Sequence, residues 1–252
     1  MRRTAQPESF FIGWDVGGWN CEKNPRSRDA VVILDSTLTI VGQPWRGNLR
    51  ECISNASTTR DWLSALFSKC QTEFPSTPVQ ITMAIDTPLG FSEEFANLVT
   101  DLKWAEPSAS SDKNHYLFRQ TERQLFRKGK RPLSAVKDMI GSQATKGMHV
   151  LAKFAPVVES CGVWTGGKSF RVIETYPSAC KDTKVVKQLR KGRKTLEPDD
   201  LNDALTCALI AHLFAADRAA LEPPGENVPH REGWIWVTRD TPPRSEGNRG
   251  NR

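Results

Sequence analysis

The 252-residue chain has no apolar run approaching the roughly 20 residues that cross a bilayer, so it offers no candidate transmembrane helix. Its opening residues, Met1-Arg2-Arg3, lead into polar sequence and lack the apolar core of a signal peptide; a cytoplasmic protein is expected. None of the six cysteines forms a CxxC pair, which argues against a zinc ribbon or a dithiol redox motif. Four of them sit in or beside apolar stretches and read as buried free thiols. The four histidines show no HExxH spacing, so no histidine-based zinc site is indicated. Internal repeats and dividing linkers are also lacking, which points to one domain.

What is present is ordinary globular composition, 38% hydrophobic and 25% charged. The net charge of +6 suits an anionic partner without requiring one. Part of the excess falls in Arg239 to Arg252, a stretch rich in Pro, Gly, Asn and Arg that reads as disordered.

Periodicity and turn residues give the order of elements. Phe10 to Asp15 reads as a buried strand entering a glycine turn, Ala30 to Leu34 as a second strand, and Leu38 to Val41 as a third in a hairpin with it. A helix opens at Thr58 to Asp61 and carries Trp62, Leu63, Leu66, Phe67 and Cys70 at helical spacing. Val79 to Ile85 is a fourth strand, and the strand–helix–strand crossover predicts that it lies parallel to the earlier sheet. Residues 91–154 read as mostly helical, over Phe118 to Phe126 and Leu133 to Phe154, with a polar break at Glu106 to Asn114. Ser169 to Thr175 is a fifth strand and Asp199 to Ala220 a buried helix, and the short segment Trp234 to Val237 is expected either to dock as an edge strand or to cover the core.

Two carboxylates stand out. Asp15 and Asp86 each end an apolar strand, and each is followed by turn chemistry, Val16-Gly17-Gly18 and Thr87-Pro88-Leu89-Gly90. Desolvating a carboxylate is costly, so an acid in such a place needs a partner. In open α/β sheets ligands bind beyond the carboxyl ends of strands, and two acids meeting there call for a cation or a shared proton. Hard oxygen donors of this kind suit Mg²⁺ or Mn²⁺. Glu174 repeats the placement at the end of the fifth strand. Asp199 and Asp200 suit the first turn of a helix, whereas Asp203 lies deeper and is expected to face the crevice.

The stretches Gly13-Trp14-Asp15-Val16-Gly17-Gly18, Ile85-Asp86-Thr87-Pro88-Leu89-Gly90 and Arg119-Gln120-Thr121-Glu122-Arg123 occur in that order. Ile173-Glu174-Thr175-Tyr176-Pro177, Leu201-Asn202-Asp203-Ala204-Leu205 and Glu232-Gly233-Trp234-Ile235-Trp236 follow. This series resembles the family known as domain of unknown function 429, regarded as predicted nucleases with an RNase H-like fold. The resemblance implies an α/β fold: a mixed five-stranded sheet, an antiparallel meander followed by parallel strands, flanked by helices. It implies a single domain over 8–238 with a helical insertion at 91–155, followed by the tail at 239–252. It further implies that Asp15, Asp86, Glu174 and Asp203 are catalytic acids holding Mg²⁺ or Mn²⁺, in a two-metal hydrolysis of phosphodiester bonds in DNA or RNA.

Basic residues of the middle region are candidates to steer such a substrate. Arg119, Arg123, Lys137 and Lys146 are the chosen set, with Arg119 and Arg123 one helical turn apart and able to share a phosphate. Two other readings stay open. A non-catalytic nucleic-acid-binding module of the same fold would use the basic surface alone. An actin-like, ATP-dependent phosphotransferase would use Asp15-Val16-Gly17-Gly18 as a phosphate hairpin, with Gly166-Gly167-Lys168 the only later glycine pair.

Overall fold

The computed structural model describes residues 7–106 and 113–239. The disordered tail expected at 239–252 lies, from residue 240 onward, outside the described residues, as does the centre of the polar break at 107–112.

Strand β1 (Glu8–Asp15) pairs antiparallel with β2 (Asp29–Leu34), which pairs antiparallel with β3 (Trp45–Gly47). Helices α1 (Arg50–Asn55) and α2 (Thr59–Lys69) carry the chain over to β4 (Val79–Asp86), which runs parallel to β1 as the crossover predicts. Helix α2 starts on a capping box. The Thr58 hydroxyl accepts from the Asp61 N–H at 3.1 Å, and the Asp61 carboxylate accepts from the Thr58 N–H at 2.9 Å. Helices α3 (Glu93–Asp101), α4 (Gln120–Arg127) and α5 (Gly141–Phe154) follow. A hairpin of β5 (Val157–Ser160) and β6 (Val163–Thr165) leads into β7 (Phe170–Thr175), parallel to β4. The chain then forms α6 (Pro177–Cys180), α7 (Lys184–Arg190) and α8 (Asp199–Ala216), and ends on β8 (Ile235–Trp236), parallel to β7.

The result is an α/β fold whose mixed sheet has the order β3-β2-β1-β4-β7-β6-β5, with β8 added on β7. The five strands expected from sequence become eight. The third is not where the sequence placed it: Leu38 to Val41 follows a turn at Ser36 and Thr37 but forms no strand, and β3 takes the place beside β2. The cause is Asp35, whose Oδ1 accepts from the Thr37 and Thr39 N–H groups at 2.8 and 2.9 Å. This local bonding draws Leu38 into the left-handed region at φ 65° and leaves Ile40 only an isolated bridge to Leu34. The helix expected from Leu133 begins only at Gly141. Ser134 and Asp138 instead bond backbone N–H groups of their own loop, at 3.2 Å to Val136 and 2.8 Å to Ser134.

Side chains alternate across the sheet and build two cores. Phe10, Ile12, Trp14, Met83, Ile85 and Val172 pack with α2 and α5 on one face. Phe11, Ala84 and Ile173 face α8 on the other. Helix α8 settles directly on β1 because residue 13 is glycine. A Cβ there would lie 1.9 Å from the Ala204 carbonyl oxygen.

Candidate metal centre at the strand ends

Asp15 and Asp86 are registered partners at the carboxyl ends of neighbouring parallel strands. Side-chain phase follows from the alternation. Asp15 lies two residues after Gly13, and Asp86 two after Ala84, so both point to the α8 face. Contact between Gly13 and Ala204 brings the start of α8, and with it Asp203, to the same end of the sheet. Asp15 and Asp86 floor a cleft of about 410 Å³ walled by Ser27, Thr87, Arg131, Leu133, Gln143 and Tyr176. Among the described residues no hydrogen bond or ion pair reaches the carboxylate of Asp15, Asp86 or Asp203, and the buried Thr87 hydroxyl also has no partner.

Such unmatched charge shows in the proton affinities. Burial, then the facing Asp86 and Asp203, hold the Asp15 carboxyl well above its ordinary value of 3.8. Burial followed by Asp203 and Glu174 does the same to Asp86. Asp203 is also raised, by burial, with the Lys181 cation pulling the other way.

Glu174 also lines the cleft, but it does not stand abreast of the two aspartates. Its registered partner is Ile85, not Asp86, so it faces the α2/α5 side, one residue out of phase with the two aspartates. Both its oxygens are taken: Arg119 donates to them from Nη2 at 2.6 Å and Nη1 at 2.8 Å, and the Leu89 N–H donates at 2.8 Å. The four-carboxylate cage expected from the sequence is therefore not assembled. Among the described residues no group of three or more His, Cys, Asp or Glu is arranged to hold a metal ion.

Two of the four expected substrate-binding cations are likewise corrected. Arg119 is buried and forked between Glu122 and Glu174, and it also donates to the Glu232 carbonyl at 3.0 Å. It therefore cannot share a phosphate with Arg123, which bonds His115 Nδ1 at 2.9 Å. Lys146 is fully buried against Asp29, with the Gly18 carbonyl at 3.3 Å and Asn48 Oδ1 at 3.1 Å. A buried cation satisfied in this way holds the fold and offers nothing to a ligand. Lys137 stays at the surface, 3.2 Å from Asp138 Oδ1. At the end of α7, Arg190 turns inward and donates to the Asn202 carbonyl at 2.8 Å.

Sequence reasoning missed the residues that brace the site. Asp29 accepts from the Trp14 indole at 3.1 Å, the Gly17 N–H at 2.9 Å and the Leu49 N–H at 2.6 Å, besides pairing with Lys146. This pair fixes the turn after Asp15. The Arg119–Glu174 fork, acting through the Leu89 N–H, fixes the loop after Asp86. Asp29 carried a legible signal, since it stands directly beside an apolar strand as Asp15 does. Asp200, assigned from sequence to the helix dipole, pairs with Arg46 and ties α8 to β3. The six cysteines are free, and five of them are buried.

Comparison with known proteins returns nothing: no protein-family model, no curated protein and no solved structure matches the chain.

Proposed function

We propose that the protein is a divalent-metal-dependent nuclease of RNase H-like fold, hydrolysing phosphodiester bonds of DNA or RNA at the Asp15–Asp86 cleft. The observation that carries this reading is the abreast pair of carboxylates at the strand ends, open to a cleft and matched by no donor among the described residues. The order β3-β2-β1-β4-β7, in which β2 alone is antiparallel, supports the fold part of the reading.

The donors fit Mg²⁺ or Mn²⁺. Mg²⁺ keeps several waters and is commonly held by one or two carboxylates together with substrate phosphates, which asks no more of the chain than Asp15 and Asp86. A bound ion would supply Lewis-acid activation of water and neutralise charge on the departing oxygen. Asp15 and Asp86 would hold it. Asp203 adds negative potential from α8, and the Thr87 hydroxyl is free to donate to a phosphate oxygen. Glu174 and Arg119 act at one remove, by keeping the Asp86 loop in place. The glycine pair required by a phosphotransferase reading, Gly166-Gly167, turns the chain between β6 and β7, at the end of β7 remote from the aspartates.

The test is incubation with labelled single- and double-stranded DNA and RNA in Mg²⁺ or Mn²⁺, beside Asp15→Asn and Asp86→Asn. Cleavage by the wild type and loss in both variants is expected. An inert wild type, or variants that retain full activity, would sink the proposal.

A further inference from the structure

A second, shallower groove of about 210 Å³ adjoins the cleft. It is lined by Phe118, Phe126 and Lys137, and it shares Arg131, Pro132 and Leu133 with the cleft wall. Segment 131–133 is thus a ridge with the aspartates on one side and an aromatic-floored trough on the other. Phe118 and Phe126 meet edge to face at 4.9 Å between centroids. Cations overlie both rings: the Arg131 guanidinium 5.2 Å from Phe126 and Lys137 Nζ 5.9 Å from Phe118. From Arg127 to Lys137 the chain carries five basic residues and no acid. Asp138 ends the run, and its surface pairing with Lys137 is the kind that contributes little.

Two residues of the ridge meet solvent, the cationic Arg131 and the apolar Leu133, which is 55% exposed. Phosphates alone gain nothing from such a side chain. Unstacked bases do, because each presents an apolar face, whereas a duplex keeps those faces inside.

Building on the nuclease reading of the cleft, we infer that the trough is a flanking subsite for single-stranded nucleic acid, entered across the Arg131–Leu133 ridge. Lys137 follows the backbone beyond the ridge, and Leu133 meets a base. The substrate class is then a single strand spanning both grooves, with the scissile phosphate over Asp15 and Asp86.

The experiment uses the full chain. Fluorescence anisotropy with a labelled oligothymidylate of about ten nucleotides, in EDTA, measures binding against a hairpin duplex of equal length. Hydrolysis of bis(p-nitrophenyl) phosphate in Mn²⁺ measures the cleft alone. The single strand is expected to bind at least about fivefold more tightly than the duplex. Lys137→Glu and Leu133→Ser should each weaken that binding about five- to tenfold, and Lys137→Glu, which lies outside the cleft, should leave hydrolysis of the small diester unchanged. Both side chains are exposed, so neither variant threatens the fold. Equal affinity for strand and duplex, or oligonucleotide binding within about twofold of wild type in both variants, would overturn the subsite even if the small diester is cleaved. A wild type that neither cleaves the diester nor binds the oligonucleotide overturns the reading of the cleft, and the subsite with it.

Discussion

At the scale of single residues, Asp15 and Asp86 bear carboxylates whose charge no donor among the described residues offsets, and the fold tolerates them at some expense. Because their folded proton affinities are raised, the protonated fold is favoured, and that stability is lost as pH climbs through the raised values. The metal-free protein should therefore melt at lower temperature as pH goes from about 5 to about 8, and Mg²⁺ should restore the loss. A melting temperature independent of pH in EDTA would contradict this. Asp86→Asn removes one of the opposed charges. It should stabilise the metal-free protein at neutral pH by about 0.5–2 kcal/mol and abolish the Mg²⁺-dependent rise, as read by thermal unfolding. The aspartates were legible in the sequence because an acid between an apolar strand and a glycine turn has few inexpensive explanations. The burial of Lys146 was not, since its partner Asp29 stands 117 residues away and only the folded chain brings them together.

Between elements, what matters is phase and approach. Glu174 shares its local pattern with Asp86, and the sequence offers no means of separating them. The register of β7 on β4 decides that it faces the opposite side, where Arg119 holds it. Arg119→Met should cost about 3–5 kcal/mol in urea unfolding, because Glu122 and Glu174 would remain buried and unpaired. Adding Glu174→Gln should recover part of that, and a double variant no better than the single one would refute the assignment. The seating of α8 on β1 is tested by Gly13→Ala. With a Cβ meeting the Ala204 carbonyl, the helix must move, costing about 1–3 kcal/mol and drawing Asp203 away from Asp15. The extra strands β5 and β6 were unreadable for a different reason. Each has only three or four residues, too few for alternation to register, and the valines of β5 are exposed.

Across the whole molecule, the sheet's layered plan was visible in the order of apolar strands and the long buried helix, since these are the segments with sustained periodicity. The middle region was read least well. Expected to be an appended helical insertion, it supplies Lys146 to one brace, Arg119 to the other, and the ridge between the two grooves. The net charge of +6 gives a long-range attraction for polyanions. With two to four phosphates engaged, oligonucleotide affinity should fall with salt at a log–log slope of about −1.4 to −2.8, and Lys137→Glu should make it shallower by about one contact. A slope unaffected by Lys137→Glu would remove that lysine from the interface.

Asp15 comes early in the chain and Asp203 late, and their meeting depends on α8 reaching β1 across Gly13. During synthesis the amino-terminal strands leave the ribosome well before that helix exists. A nascent chain thus carries isolated acids without the partner that completes their field. The field that Asp203 adds at the cleft therefore waits until α8 has been made and seated on β1.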